Sequence, residues 1–502
     1  ISTKGNKDLI LLNLLNSKGI LADLEYRQGI ILKANESTLK KSLRLREIIK
    51  QSSNLKLAKT ERKNLLREKR NLEISLYSDL PLLKPKIINI KQVSNELNKD
   101  SVLIEFVKLF KRDLYSHVSD EFHDQGYEYY AVILYPNSKI EIVKIGNAFE
   151  IDSLINASLI AAEEQKPEAF KIFLKLSKNI IDPIISKTEG YKNWYLSPDG
   201  ELNRIPFSAL THNRLNKYLS EVINIRLLTS GRELLKLKSK TPLTKNRSLV
   251  VSNPSFDLKI KNSAQSISSL NRLDDLSRQR STDLNFFEWN ELPGTAKEGE
   301  FIAEITNAKL LTLNKASVSE IEKQPAPLIT HIASHSYYLP NKKLDKSNNE
   351  LIDNFNISEN PLLRSGIVLA GANNRKVENI DDGFLTALEV TKLDWEGTEL
   401  VVVSGCESGK GDIKSGEGVY GLKRAIAVTG AKSSMLSLWK VDDTATAAFM
   451  KSFYLKLRQG KGKVEALSLT QKEFRNHPIP GFRHPYVWAA FQLSGDWKPI
   501  NW

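Results

Sequence analysis

The stretch Glu399-Leu-Val-Val-Val-Ser-Gly-Cys406-Glu-Ser-Gly-Lys-Gly411 is an apolar run that breaks into glycines, and the chain's single cysteine stands at the break. Consecutive β-branched residues of this kind fit a strand buried on both faces, as inside a parallel sheet. A second apolar run, Leu328-Ile-Thr-His-Ile-Ala-Ser-His335, ends in a histidine. Parallel strands release their C-terminal ends along one edge of a sheet, so the thiol and the imidazole can meet there. A cysteine beside a histidine is the smallest set of groups that makes a nucleophile at neutral pH.

Outward from these runs the pattern alternates. Strands are predicted at 248–252, 309–313, 328–333, 366–369, 399–404 and 433–438, with helices near 296–306, 317–323, 383–392, 417–428, 443–459 and 463–475. Such alternation builds an α/β fold with a mostly parallel sheet covered by helices on both faces. Asp442-Asp443-Thr444 supplies the cap for one of these helices. A polar tract from Pro254 to Asn290 reads as a mobile loop.

From 86 to 245, strands are expected at 102–107, 129–135 and 140–145, with Pro136-Asn-Ser138 as a hairpin turn. Helices come next at 150–165 and 168–185, and Asn193–Gly200 reads as a strand ending in a turn. Residues 1–85 read as helical, with Leu65, Leu72 and Leu76 on one stripe and Leu39 and Leu43 on another. Ser52-Ser53-Asn54 turns one helix back on the next, and Pro81 and Pro85 close the unit. A helical hairpin of this kind buries its own stripe poorly, so it should pack on the domain after it or on helices upstream.

At 502 residues the chain is too long for one ordinary core. An apolar fraction of 41% is ordinary for a folded protein, and no apolar run is long enough to span a membrane. Ile1 is not an initiator Met, and the chain reads as part of a longer one. One cysteine rules out an internal disulfide and multi-thiolate zinc, and suits a reducing cytoplasm. The formal charge of +14 raises the possibility of nucleic acid. However, about a dozen Lys and Arg fall between Lys40 and Arg70 against about three acids, so the excess is largely a solvated helical face. Direct contact with nucleic acid is not expected; an RNA- or DNA-dependent module is the weakest of three functional readings.

A lone cysteine is commonly a small core residue. Cys406, however, comes just after a strand and sits among Gly405, Gly409 and Gly411. A tight glycine turn exposes its side chain and lets backbone N–H groups point at a substrate carbonyl. His335, at the end of its own run and beside the polar segment 336–360, fits the general base. His331 is the rival on the same strand face, but inside the apolar run it reads as a buried, hydrogen-bonded residue. His477 and His484 each precede proline and read as structural. Gly416-Glu-Gly-Val-Tyr-Gly421 matches G-x-G-x-x-G, yet it does not come directly after its strand, so nucleotide binding is not expected.

Taken together, His331-Ile-Ala-Ser-His335, Thr398–Gly409, Gly416–Ala425 and Ser437-Leu-Trp-Lys-Val441 resemble the CHAT domain, a group of caspase-like peptidases related to separase. Glu291-Leu-Pro-Gly-Thr295, Asp382–Glu389 and His484–Phe491 resemble it too, and similar features reach back to Leu196–Asn203. The resemblance implies a cysteine endopeptidase acting on a protein substrate, without cofactor or metal. Its dyad would be His335 and Cys406, with the oxyanion held by the backbone N–H groups of Ser336 and Cys406. It implies two lobes, an inactive caspase-like half at 86–245 and a catalytic half at 246–502. The helices of 1–85 would end a tetratricopeptide-type array that senses a regulatory protein partner. Two positions depart from the family pattern: Ser336 stands where glycine is usual, and Gly405 where alanine is frequent. A positive φ at Ser336 would bring strain.

Substrate preference is less determined. Metacaspases, which cut after basic residues, carry Asp two places before the cysteine, where this chain has Ser404. Cys406-Glu-Ser-Gly409 is instead similar to the local sequence of legumain. Asp381, Asp382, Glu407, Asp412 and Glu417 can make an acidic pocket, which favours a basic or neutral residue before the cut. The alternative of a different class is a catalytically silent caspase-like scaffold that binds a partner through its helical arm.

Overall fold

The computed structural model describes residues 4–21, 59–79, 86–110, 126–238, 244–257, 287–339, 361–374, 381–405, 408–414 and 418–502, with scattered positions between 23 and 48 and residue 284. Eleven strands form its main sheet: β1 (Ser101–Phe110), β2 (Tyr127–Leu134), β3 (Ile140–Asn147), β4 (Asn193–Ser197), β5 (Asn224–Leu227), β6 (Leu249–Pro254), β7 (Lys309–Leu313), β8 (Ile329–Ala333), β9 (Leu400–Val403), β10 (Ser433–Ser437) and β11 (Phe491–Gly495). Their spatial order is β3-β2-β1-β4-β5-β11-β10-β9-β8-β6-β7. Only the β1–β2, β2–β3 and β10–β11 pairs are antiparallel, so the expected mostly parallel α/β sheet is present.

Alternation along each strand builds the layers. Leu400 and Val402 of β9 enter one core, and Val401 and Val403 enter the core on the opposite face. The first core is closed by helices Ala148–Glu163, Ala169–Ile180, Pro293–Thr306, Asp443–Arg458 and Lys463–Arg475, through residues such as Ile151, Phe173, Ile302, Phe449 and Leu467. The second face is covered by Val318–Glu322, Ala387–Val390 and Leu422–Val428 over the C-terminal strands. Over the N-terminal strands it is covered by Lys4–Ser17 and Ile90–Ser94.

The sequence leads to an expected division at 245, but the sheet runs on across it without a break. β5 and β11 join its two halves in parallel, with Leu227 beside Ser494, and the first core is continuous beneath them. Neither joining strand is anticipated from the sequence. β5 is four residues long, Asn-Ile-Arg-Leu, and only its last residue is buried, so its composition carries little strand signal.

Three local expectations are corrected. The strand expected at 366–369 forms at Ser365–Val368, outside the parallel sheet, and pairs antiparallel with Ser336–Tyr338 and Phe384–Thr386. The helix expected over 383–392 shrinks to Ala387–Val390. Thr386 and Glu389 form a capping box that starts the helix there and leaves Phe384–Thr386 extended. The helix expected over 417–428 begins only at Leu422, because Gly418–Gly421 pairs with Gly411–Lys414 as a hairpin.

The N-terminal helix Lys4–Ser17 packs into the core of the N-terminal half of the sheet. Leu11 and Leu15 are fully buried against β1, and the Asn16 amide bonds both the N–H and the C=O of Ile88 at 2.8 Å. The buried Lys18 ammonium lies 3.0 Å from Glu105 of β1 and donates to the carbonyls of Phe106 (3.1 Å) and Ser197 (2.7 Å). All three ammonium protons therefore have partners, the condition under which a buried charge is tolerated. Losing one member of such a pair typically costs about 3–5 kcal/mol. The loop that the sequence places at Ser52–Asn54 and most of the tract 254–290 lie outside the described residues. Among the described residues no helix is long and apolar enough to cross a membrane.

Candidate active site

β8 and β9 lie side by side in parallel, with Ile332 opposite Val403, and the Ser404 N–H extends the ladder to the Ile332 carbonyl at 3.0 Å. Both strands therefore end at the same point of one sheet edge. Beyond that point the two exits stay in contact. A Cβ placed on Gly405 would stand 2.2 Å from the Ser334 carbonyl oxygen and 3.1 Å from the Ser336 nitrogen. Only a residue without a side chain lets the backbones come this close, which accounts for Gly405 where alanine is frequent.

Cys406 and Glu407 lie outside the described residues. The chain is fixed on both sides of them. Upstream, Gly405 rests on the residues flanking His335. Downstream, the Ser408 hydroxyl donates to the Val403 carbonyl (3.0 Å) and accepts from the Ser437 N–H (2.9 Å), while the Gly409 N–H donates to the Ser437 carbonyl (2.7 Å). Both anchors sit at the ends of β9 and β10.

The His335 imidazole stands 2.9 Å, through Nε2, from the carbonyl oxygen of Asn290. A carbonyl only accepts, so Nε2 carries the proton and Nδ1 is left bare as a base. The ring is flanked by Phe256 and Trp289, each with its centroid at 5.3 Å. Burial by these rings holds the His335 pKa below the usual imidazole range. The Asn290 carbonyl pulls it back up in part, and the positive charge of Lys440 lowers it further. The net lowering favours the neutral imidazole, the form a general base needs.

His331 is fully buried, with Nε2 2.9 Å from Glu298 and Nδ1 3.1 Å from the Tyr454 hydroxyl, facing the helix layer and not the sheet edge. His484 caps the turn Pro485–Trp488 by accepting from the Tyr486 N–H, and its other nitrogen meets the Lys166 carbonyl at 3.1 Å. His477 accepts from the Ile479 N–H at 3.2 Å. All three read as structural, as the sequence indicates. Ser336 keeps a φ outside the left-handed region and lies in an extended pairing with Ile367, so the strain considered for it does not arise. Of the G-x-G-x-x-G match, Gly418–Gly421 is a hairpin strand and not the first turn of a helix, while Gly416 and Glu417 lie outside the described residues.

Of the acidic residues expected to line a substrate pocket, Asp381 and Asp382 are described with their side chains. Asp381 accepts from the Ser319 N–H at 2.7 Å, within the first turn of helix Val318–Glu322, and Asp382 accepts from the Phe384 N–H at 3.0 Å. Both carboxylates hold backbone. Asp412 lies on the hairpin strand Gly411–Lys414 downstream of the cysteine, and Glu417, like Glu407, lies outside the described residues. Sequence reasoning misses Phe256, Trp289 and Asn290. Aromatic residues at the two ends of an otherwise polar tract are the available signal.

The sequence profile of the CHAT domain matches residues 172–496, well over half of the 502. Among curated proteins, Tetratricopeptide repeat protein 28 of Homo sapiens is 25% identical over 316 residues, covering 60% of this chain and 12% of that protein. Its Mus musculus counterpart is 23% identical over 327 residues, again 60% of this chain and 12% of the relative. The chain thus spans only about 12% of the length of the curated relatives it matches. Among solved structures, the Saccharomyces cerevisiae separase–securin complex superposes with a TM-score of 0.46 at 10% identity, over 92% of this chain and 34% of that one. The Arg-specific cysteine proteinase gingipain R gives a TM-score of 0.35 at 8% identity, over 70% of this chain and 75% of that one.

The surroundings of His335 lead to a signed expectation. Replacing Lys440 by Gln removes a positive charge that disfavours the imidazolium, so the titration midpoint of His335 should rise toward the ordinary value. Tracking the imidazole resonances with pH checks this. A midpoint that stays put or falls would show that Lys440 does not act on the ring.

Proposed function

The chain belongs to the CHAT domain family, and on that premise we propose that it is a caspase-like cysteine endopeptidase making limited cuts in a protein substrate. The observation that carries this reading is the contact of Gly405 with Ser334 and Ser336, which joins the exits of β8 and β9. Nδ1 of His335 takes the Cys406 thiol proton, and the thiolate attacks the scissile carbonyl. The backbone N–H groups of Ser336 and Cys406 hold the oxyanion. His335 then gives its proton to the leaving amine, and water, deprotonated by the same nitrogen, hydrolyses the thioester. The chemistry calls for no metal or cofactor.

Glu407, Asp412 and Glu417, on the segment just after the cysteine, favour a substrate with a basic or neutral residue before the cut. Asp381 and Asp382 have a weaker claim on that pocket, since their carboxylates already accept from backbone. A single cysteine suits a reducing, cytoplasmic setting.

Control by the helices upstream belongs to the same proposal, and the tetratricopeptide repeat relatives give it a precedent in name. Three polar contacts tie Asp23, Glu25 and Tyr26 to both halves of the sheet. Asp23 lies 3.1 Å from Arg232, the Tyr26 hydroxyl donates to Glu396 at 3.1 Å, and the Arg424 guanidinium meets both carboxylate oxygens of Glu25 at 3.1 and 3.0 Å. Arg424 sits on the helix that directly continues the hairpin Gly411–Gly421. Displacement of the arm would therefore pull on the segment downstream of Cys406.

Two outcomes are expected. Cys406→Ala should abolish cleavage of a peptide library, and a peptidyl chloromethyl ketone should label the wild-type cysteine but not that of a His335→Ala variant. Cleavage that survives Cys406→Ala removes the peptidase reading, and an unlabelled wild-type cysteine favours the silent scaffold. Separately, Arg424→Glu should lower turnover several-fold, and adding Glu25→Arg should restore part of it, a coupling of about 1 kcal/mol. Full turnover in Arg424→Glu would disconnect the arm from the site.

A further inference from the structure

We propose that Asn373 is a positioning residue for the His335 imidazole, acting through the main chain of Trp289 and Asn290. The inference rests on the assignment of His335 as the base. The Asn373 side-chain amide donates from Nδ2 to the Trp289 carbonyl at 3.0 Å, and its Oδ1 accepts from the Trp289 N–H at 3.0 Å. One side chain thus satisfies both polar groups of one backbone residue, as a neighbouring strand would. The next residue in the chain is Asn290, whose carbonyl meets Nε2 of His335.

Asn373 is itself held in a frame. Its N–H donates to the Phe256 carbonyl (3.1 Å), and the Gly371 N–H to the Ser255 carbonyl (3.0 Å), which ties the turn to the exit of β6. The turn continues strand Ser365–Val368, whose last N–H donates to the His335 carbonyl at 2.8 Å. Asn373 therefore refers the Asn290 carbonyl back to the backbone of the same histidine whose ring that carbonyl orients. Trp289 is fixed by the same bonds, and its ring lies between His335 (5.3 Å) and Phe384 (6.3 Å).

The chemistry of the amide explains the residue type. The position needs one donor and one acceptor in a single plane at short reach. Asp offers no donor and would set a carboxylate against the Trp289 carbonyl, Leu offers neither group, and Gln is a methylene too long. The functional demand is the tautomer. With the Asn290 carbonyl in place, Nε2 is protonated and Nδ1 is free to take the thiol proton; with the carbonyl displaced, the two neutral tautomers mix.

The test uses the whole chain labelled with 15N-histidine and carrying Asn373→Asp or Asn373→Leu. Above its titration range, wild-type His335 should show a protonated Nε2 and a bare Nδ1, and both variants should show averaged nitrogen shifts. Alkylation of Cys406, the chain's single cysteine, by iodoacetamide should slow about tenfold or more, as expected when a reacting pair loses alignment. The wild-type nitrogen pattern in both variants would overturn the proposal, and so would a bare Nε2 in the wild type. If one variant unfolds, the other carries the comparison. The nitrogen shifts do not depend on turnover. If Cys406→Ala left cleavage unchanged while the Asn373 variants averaged the tautomers, the peptidase reading would fail and the positioning role would stand.

Discussion

The backbone contact between Gly405 and the Ser334–Ser336 segment is the constraint on which the site depends. Two parallel strands sharing a ladder must end together, but their exits ordinarily diverge into separate loops. Here the ladder continues one bond past β9, and the absence of a side chain at 405 lets the second exit lie on the first. His335 stands between the two residues on which Gly405 rests, and Cys406 is the next residue in the sequence, which is the ground for proposing them as a pair. An alanine at 405 would push a methyl group into a carbonyl oxygen and force the exits apart.

The histidine is then conditioned by its neighbours. Aromatic rings on either side remove water from it and hold its pKa down, while a main-chain carbonyl fixes which nitrogen carries the proton. These effects act together: a neutral ring with a defined bare nitrogen is poised to take a proton, whereas a solvated one would be partly charged and free to flip. That environment comes from Phe256, Trp289 and Asn290, which the turn carrying Asn373 and Phe384 of the small antiparallel sheet hold from outside the parallel sheet.

Much of this is legible in the sequence, for physical reasons. A run such as Leu400–Val403 is buried on both faces and can hardly be anything but an interior strand, so the strands that carry the site are placed almost to the residue. His331 can be set aside because it lies within its apolar run, and the structure buries it against Glu298 and Tyr454. The features that escape the sequence depend on contacts distant in the chain. β5 and β11 are short and gain their identity only from pairing across the junction of the halves. The hairpin at 411–421 is hidden by glycines that read equally as loop, so the helix after it is expected to begin too early. Asn290 acts through its main chain, which no side-chain pattern reveals, and the backbone N–H groups that Asp381 and Asp382 accept from are equally hidden from composition.

The proposed chemistry stands on the approach of one sulfur to one ring. A crystal structure of the chain with a peptidyl aldehyde bound at Cys406 measures it most directly. The expected complex is a hemithioacetal whose sulfur lies within about 4 Å of His335 Nδ1, with the oxygen facing the Ser336 and Cys406 N–H groups. A sulfur turned into the core, or separated from the ring by the width of another side chain, would contradict it.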